Sequence, residues 1–194
     1  SATASVNDYI YVFGVQVEQQ SYCTSYIPTN GSVQTRANET CIGAGTSSIL
    51  PSEEGILYVE AKALVDGLSA REISLSSGSS SNAIRLRYSA DVSRFQAFMR
   101  SGGGTIQALS RTAKPQDVYR KIALEYNSTE FAMWIDGTKE STVTTTSTPV
   151  GLSELEFYLN SSFPFYGKIR DIRVYNTKEM TDSEVDILLT KITS

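Results

Sequence analysis

The stretch Phe165–Leu189 constrains the fold of this chain most, because it combines a long strand with a short helix. Its apolar residues Ile169, Ile172 and Val174 are separated by charged ones, which is typical of a strand that buries one face. Between Ile169 and Ile172 the step is three residues, instead of the two that strand alternation requires. The extra residue predicts a β-bulge near Asp171.

A helix is predicted directly after this strand. Thr181 and Glu184 form the capping-box pattern, in which each side chain binds a backbone N–H group of the other residue. Four apolar residues follow at helical spacing: Val185, Leu188, Leu189 and Ile192. The helix is therefore expected to be amphipathic and to pack on the rest of the domain.

Upstream of this stretch, short strands recur between turns rich in Gly, Ser and Asn. The predicted strands are Asp8–Glu18, Ile56–Val65, Arg71–Leu75, Ala83–Tyr88, Phe95–Arg100, Thr105–Leu109, Val118–Tyr126, Phe131–Asp136, Thr138–Thr145 and Leu155–Leu159. This spacing predicts an all-β fold, a two-sheet antiparallel β-sandwich of the jelly-roll type with one short C-terminal helix. Since no internal repeat occurs, we expect an N-terminal strand and connector at residues 1–50, packed on one domain at residues 51–194.

The composition argues against whole classes of function. Histidine is absent, which removes Ser–His–Asp triads, His-bound zinc and the usual general base at neutral pH. The net charge is −4 with both signs interspersed, so neither nucleic acid nor an anionic membrane is an expected partner. No apolar run is long enough for a membrane span, so no membrane insertion is expected. Because Ser1–Val6 does not form a signal peptide, we expect a chain that starts within a longer protein or has lost a leader.

The acidic residues do not form a recognisable catalytic or metal-binding pattern. Glycoside hydrolysis needs two carboxyl groups about 5 to 9.5 Å apart. Glu154 and Glu156 supply one weak pair on a shared strand face. The loop aspartates lie far apart in the sequence, at Asp66, Asp91, Asp117 and Asp171. We therefore expect no enzyme activity, no bound metal and no cofactor.

Two cysteines and four sequons leave covalent modification open. Cys23 and Cys41 could form a disulfide, as in an extracellular protein, or remain two buried thiols, and the sequence favours neither. The pattern Asn-x-Ser/Thr, which can accept N-linked glycans, begins at Asn30, Asn38, Asn127 and Asn160. In a chain rich in Ser and Thr, such matches also arise by chance.

Strand alternation places one set of polar and aromatic side chains on the outside of the sandwich. Aromatic rings stack on the apolar face of a pyranose, and Arg and Glu bond its hydroxyl groups in paired geometry. The candidate ligand-binding residues are Trp134, Tyr158, Arg85, Arg87, Glu60 and Glu156. Trp134 ranks first, because it is the only tryptophan and is out of phase with the apolar residues of its strand. Alternatively, these aromatic residues cover the convex sheet, touch the closing helix or are buried against a neighbouring subunit, and the loop around Phe163 and Phe165 is then the next candidate.

Two parts of the sequence resemble a known fold family. They are the closing strand and helix, Gly167–Tyr175 with Met180–Val185, and the central hairpin Lys121–Gly137. Both are similar to the corresponding parts of concanavalin A-like, laminin-G-like jelly rolls, which implies a concanavalin A-like sandwich. Folds of this kind carry lectins, hydrolases, lyases and adhesion modules, so the resemblance alone does not decide the function.

The N-terminal connector carries a second resemblance. Gly14–Glu18, Thr24–Thr29 and Thr35–Arg36 occur in the order found in connectors of many phage tail and tail-fibre proteins. The resemblance implies a non-catalytic carbohydrate-binding or host-adhesion module of a phage tail, located in the virion and extracellular. The expected partners are a host cell-surface glycan, other tail proteins and further copies of the chain in a homotrimer. A structural or oligomerisation module of the virion tail, and a polysaccharide-active hydrolase or lyase with an atypical site, remain alternatives.

Overall fold

The computed structural model of the chain describes residues 14–17, 26–28, 30–34, 44–64, 69–90, 94–111, 114–157 and 163–194, with the backbone alone at 105–111. Contacts divide the chain into two units, Ser1–Glu39 and Thr40–Ser194. In the first unit, Ile27 N donates a hydrogen bond to Gln16 Oε1 at 2.9 Å. Most of the predicted strand Asp8–Glu18 and of the connector lies outside the described residues. So do Cys23, Cys41, Asn38, Asn160, Asp66, Asp91 and Tyr158.

Within the described part of the larger unit, strands follow one another along the chain until a single helix ends it. The elements are β1 (Gly55–Ala63), β2 (Arg71–Ser76), β3 (Ala83–Tyr88), β4 (Phe95–Ser101), β5 (Gly104–Arg111), β6 (Arg120–Tyr126), β7 (Glu130–Ile135), β8 (Thr138–Thr144), β9 (Glu154–Glu156), β10 (Gly167–Asn176) and α1 (Asp182–Thr193). The strands form two antiparallel five-stranded sheets, ordered β10-β1-β6-β7-β8 in the first and β5-β4-β3-β2-β9 in the second. The predicted two-sheet antiparallel sandwich with one short C-terminal helix is confirmed.

The main hydrophobic core lies between the two sheets. In β1, the inward residues Leu57, Val59 and Ala61 are fully buried and occupy every second position, as strand periodicity requires. Equivalent positions on β2, β3, β4, β6 and β7 complete this core: Ile73, Leu75, Ile84, Leu86, Tyr88, Phe95, Ala97, Met99, Ile122, Leu124, Tyr126, Phe131, Met133 and Ile135. Each sheet therefore turns one apolar face inward, and ligand access depends on what covers its outward face.

The predicted bulge is present in β10. Glu60 of β1 lies opposite Asp171, whereas the next β1 residue lies opposite Ile169, so Arg170 is the inserted residue. The insertion lets Ile169 and Ile172 both pack against the main core, although three positions separate them. The prediction of a bulge near Asp171 is confirmed.

Helix α1 starts with the predicted capping box. Thr181 N donates a hydrogen bond to Glu184 Oε2 at 2.8 Å, and Glu184 N donates one to Thr181 Oγ1 at 3.4 Å. The hydrogen bond from the Thr181 backbone lowers the pKa of Glu184, because it stabilises the carboxylate. In the described ranges, no helix has the length and apolar character needed to cross a membrane.

Helix α1 packs on the outward face of the first sheet and forms a second hydrophobic cluster there. Val185 and Leu189 are buried against five residues of β1, β6 and β7: Ile56, Tyr58, Ala123, Ala132 and Trp134. The centre of the first sheet is therefore buried on both faces. On the second sheet β2 is also buried on both faces, whereas the outward residues Arg85, Arg87 and Phe98 of β3 and β4 are partly exposed.

Candidate functional site

The outward face of the second sheet carries a polar cluster that the pairing register of four strands assembles. Phe98 of β4 lies opposite Arg85 of β3, Arg85 lies opposite Ser74 of β2, and Ser74 lies opposite Glu156 of β9. One row across the sheet thus places an aromatic ring, a guanidinium, a hydroxyl and a carboxyl group side by side. We call these four residues the central row.

Two further rows flank the central row. On one side, Arg87 lies opposite both Gln96 and Glu72. On the other side, the facing residues are Arg100, Ala83, Ser76 and Glu154. These residues alternate along their strands with buried apolar ones such as Ile73 and Leu86, so the face follows from strand periodicity.

Glu72 joins the two arginines of β3. Its side chain is 1% exposed. Its carboxylate accepts hydrogen bonds from Arg85 Nε at 2.7 Å, Arg85 Nη2 at 2.9 Å and Arg87 Nε at 3.1 Å. The pair of bonds from Arg85 is bidentate, a geometry that fixes the plane of the guanidinium. Because a buried carboxylate is costly without such partners, Glu72 orients both arginines and depends on them for its own burial.

Arg87 lies between two aromatic rings. Its guanidinium carbon is 4.7 Å from the centroid of the Phe98 ring and 4.3 Å from the centroid of the Phe163 ring. Phe163 is held beside β2, because its carbonyl oxygen accepts a hydrogen bond from Glu72 N at 3.0 Å. Cation–π contacts of this kind stabilise a partly buried guanidinium. They also bring aromatic and cationic groups to the same part of the face.

The hydroxyl groups of β2 differ in their partners. Ser76 Oγ donates a hydrogen bond to Glu156 Oε2 and accepts one from Gly78 N at 3.0 Å. Ser74 is fully buried between Arg85 and Glu156, and in the described part of the chain its Oγ has no hydrogen-bond partner. An unsatisfied buried hydroxyl is costly, so Ser74 is the group of the central row whose hydrogen-bonding capacity is least used.

The charges of the three rows cancel. They contribute three arginines and three glutamates: Arg85, Arg87, Arg100, Glu72, Glu154 and Glu156. The described residues hold no group of three or more Cys, Asp or Glu side chains that could bind a metal ion. The chemistry that the face offers is hydrogen bonding and aromatic stacking by individually placed groups.

The structure separates the predicted ligand-binding residues into two sets. Three of them come together on the outward face of the second sheet: Arg85, Arg87 and Glu156. Glu60 instead lies on the first sheet, where Arg170 Nη1 is 3.1 Å from its Oε1. The predicted set is therefore not one site, because strand alternation distinguishes the two faces of a sheet but not the two sheets. The roles of the three clustered residues in ligand binding stay a prediction.

Trp134, the first candidate for sugar stacking, is not open to a ligand. It is 8% exposed and belongs to the cluster beneath α1. Its Nε1 donates a hydrogen bond to Glu125 Oε2 at 3.3 Å, and Lys139 Nζ lies 5.5 Å from the centroid of its ring. The expected exposure of Trp134 is wrong, because the outward direction on the first sheet leads under the helix. The alternative, contact with the closing helix, is the observed one.

The sequence reasoning missed Glu72, Ser74 and Phe98. All three alternate with buried apolar residues inside predicted strands, so the periodicity that selected the arginines also marked these positions. Phe163, from the second candidate region, reaches the polar face. Phe165 of the same loop packs against the main core instead.

Comparisons with known proteins agree with this fold. A family model described as the concanavalin A-like lectin/glucanases superfamily (Laminin_G_3) matches residues 59–186. The Ruminococcus gnavus IT-sialidase CBM40 bound to α2,3-sialyllactose is 16% identical at a TM-score of 0.57, and the match covers 78% of this chain and 97% of that chain. The same CBM40 bound to α2,6-sialyllactose is 17% identical at a TM-score of 0.57, with 84% and 98% covered.

A larger protein shows the same likeness over a part of its length. Leech intramolecular trans-sialidase is 16% identical at a TM-score of 0.56, and the match covers 73% of this chain and 23% of that chain. None of the curated proteins matches this chain in sequence. At such identities the likeness concerns the fold, and it confirms the predicted concanavalin A-like sandwich.

Proposed function

We propose that this chain, which belongs to the concanavalin A-like lectin/glucanases superfamily, binds a carbohydrate on the outward face of its second sheet. The observation that carries the proposal is the central row. There the partly exposed Arg85 and Phe98 lie beside the Ser74 hydroxyl, which is buried and has no partner in the described chain. A sugar hydroxyl donates one hydrogen bond and accepts others, so it suits a donor, a hydroxyl and an acceptor placed side by side.

The central row has hydrogen-bonding capacity left for a ligand. Arg85 uses Nε and Nη2 on Glu72, which leaves Nη1 to donate. Glu156 accepts a hydrogen bond from Ser76 through Oε2, which leaves Oε1 to accept. The half-buried Phe98 ring at the other end of the row supplies an apolar surface for the C–H face of a pyranose.

Binding without catalysis suits the way the carboxylates are held. Glu72 is enclosed by two guanidiniums, and Glu156 is bonded to a serine hydroxyl. A glycosidase needs one carboxyl group that gives up a proton and a second that acts as nucleophile or base. The chain also has no histidine for the general acid or base role. We therefore propose a binding module and not an enzyme.

The proposed setting of this binding is the attachment of a phage tail fibre to a glycan on the host cell surface. The support is the resemblance of Gly14–Glu18, Thr24–Thr29 and Thr35–Arg36 to tail-protein connectors. A site made of a few hydrogen bonds and one ring is weak by itself. Several copies on one fibre, as in a homotrimer joined to other tail proteins, would raise the overall avidity.

A glycan array followed by calorimetry tests the proposed site. Sialylated and neutral oligosaccharides both belong on the array, since the CBM40 structures above were bound to sialyllactose. Ser74→Ala removes the unpartnered hydroxyl with little change in volume. We expect it to weaken binding about tenfold and to leave the melting temperature unchanged or higher. Phe98→Leu should weaken binding as well, because the aromatic surface is lost.

The outward face of the first sheet supplies matched controls. Glu60→Gln and Arg170→Lys alter the same residue types in an Arg–Glu pair on that sheet, and they should leave the affinity unchanged. Binding that survives Ser74→Ala and Phe98→Leu but is lost in Glu60→Gln would move the site to the first sheet. Absence of binding to every glycan on the array would overturn carbohydrate as the ligand class.

A further inference from the structure

The second hydrophobic cluster, beneath α1, has a carboxyl group at its centre. Glu125 of β6 lies opposite Ile56 of β1 and Ala132 of β7, both of which are fully buried. The adjacent row of the same face consists of Tyr58, Ala123 and Trp134. Glu125 itself is 8% exposed. A carboxyl group enclosed between an apolar sheet face and a helix serves neither the main core nor the polar face of the second sheet.

The ionised form of Glu125 has weak support from its surroundings. Trp134 Nε1 donates a hydrogen bond to it at 3.3 Å. Lys139 of β8 lies over the Trp134 ring, but its ammonium group is ion-paired with Glu130 of β7. Asp186 of α1 adds a negative charge from the helix side. In the described chain, the Glu125 carboxylate is thus stabilised by the neutral donor Trp134 and by Lys139, which it shares with Glu130. The negative charges of Glu130 and Asp186 destabilise it.

Burial decides the direction in which the pKa of Glu125 shifts. It raises this pKa, and the hydrogen bond from Trp134 and the charge of Lys139 offset only a part of the rise. When α1 lifts from the sheet, Glu125 meets water and its pKa returns toward that of an ordinary glutamate. Tyr58, in the adjacent row of the cluster, stays neutral because burial raises its pKa to about 12.

We propose that Glu125 makes the docking of α1 on the first sheet depend on pH. With the carboxyl group protonated, helix and sheet pack around an uncharged side chain. With the carboxylate formed, the docked state holds a desolvated charge that the open state exposes to water. The docked helix is therefore most stable below the pKa of a solvated glutamate, and it loses stability as the pH rises through the higher pKa of the docked state. This device is independent of carbohydrate binding by the second sheet.

Hydrogen exchange of the α1 amides in the full chain tests the proposal. Dividing each rate by the intrinsic rate at the same pH leaves the opening constant of the helix. In the wild type this constant should rise as the pH increases above about 4.5, the usual pKa of a glutamate, by at most about tenfold per pH unit for a single carboxyl group. Amides of β3 serve as the reference for global opening. Fluorescence quenching of Trp134, the only tryptophan, reports the same opening by a second method.

The variants separate Glu125 from the other acidic groups. Glu125→Gln keeps the size and the acceptor for Trp134 but cannot ionise, so its opening constant should stay flat at the low-pH value of the wild type. Glu179→Gln changes an exposed glutamate outside the cluster and should follow the wild-type profile. Asp186→Asn should keep the pH dependence, since Glu125 is its source.

Two results would overturn the proposal. One is a wild-type opening constant that does not change with pH, and the other is a Glu125→Gln variant that retains the wild-type slope. If Glu125→Gln does not fold, the pH dependence of the opening constant in the wild type tests the proposal alone. The comparison of α1 amides between the wild type and Glu125→Gln decides the proposal, because global unfolding, which β3 reports, also exposes Glu125 to water.

Discussion

Replacing Glu72 by glutamine tests how the second sheet holds its two arginines. The substitution keeps the size of the side chain and removes the charge that both guanidiniums face. The side chains of Glu72, Arg85 and Arg87 are 1%, 12% and 19% exposed, so water screens their attraction little. Removing one partner of a buried ion pair costs about 3–5 kcal/mol, because the remaining charge is left without compensation. For a chain of this size, that loss lowers the melting temperature by about 6–20 °C.

Urea unfolding, followed by fluorescence and by circular dichroism, measures this loss. The matched control is Glu53→Gln, which breaks the ion pair between Glu53 and Lys178. The side chain of Glu53 is 75% exposed and that of Lys178 is 59% exposed. Surface pairs of this kind often contribute nothing measurable, so the control should unfold like the wild type. The double variant Glu72→Gln with Arg85→Met should lose less than the sum of the single losses, because the two residues interact directly.

A small loss in Glu72→Gln, no larger than that of the control, would refute the reasoning. It would mean that water reaches the guanidiniums and that the carboxylate does not hold them. Additive losses in the double variant would contradict the direct coupling, even if the single loss were large.

Further predictions concern the helix and the cluster beneath it. Trp134→Ala should cost about 3–5 kcal/mol of stability by leaving a cavity, while carbohydrate binding is retained, and calorimetry on the folded variant checks both. Leu189→Ala, at a fully buried position, should cost about 2–5 kcal/mol in urea unfolding, whereas Ile187→Ala, at a 65% exposed position, should stay within about 0.5 kcal/mol. Thr181→Ala removes the helix cap and should cost about 0.5–2 kcal/mol, visible as faster amide exchange in the first turn of α1.

Local sequence rules were sufficient to predict the architecture. The capping box at Thr181 and Glu184 depends on residues three positions apart, and the bulge at Arg170 depends on one interrupted alternation. Such features are decided by the chain near them, so the sequence displays them directly. The two-sheet arrangement follows in the same way from the repeated short strands and turns.

The site was only partly predictable, because exposure depends on contacts between distant parts of the chain. Trp134 and Arg85 both point outward by phase, but Val185 and Leu189 cover only the first sheet. A signal for this difference existed in the strands themselves. The continuous apolar run Ile56–Val59 is typical of a strand that is buried on both faces, whereas β3 alternates apolar residues with arginines.

The ion-paired face of the second sheet has a consequence for how new binding specificities arise on this fold. Phe98, Arg85, Arg87 and Gln96 project away from the main core, so they can be randomised in a library without altering its packing. Glu72 has to be varied together with the arginines, since either partner alone leaves a buried charge unmatched. Productive variants should therefore carry coupled changes on β2 and β3. A natural lineage that changes its ligand should show the same paired substitutions while the first sheet and its helix keep their apolar residues.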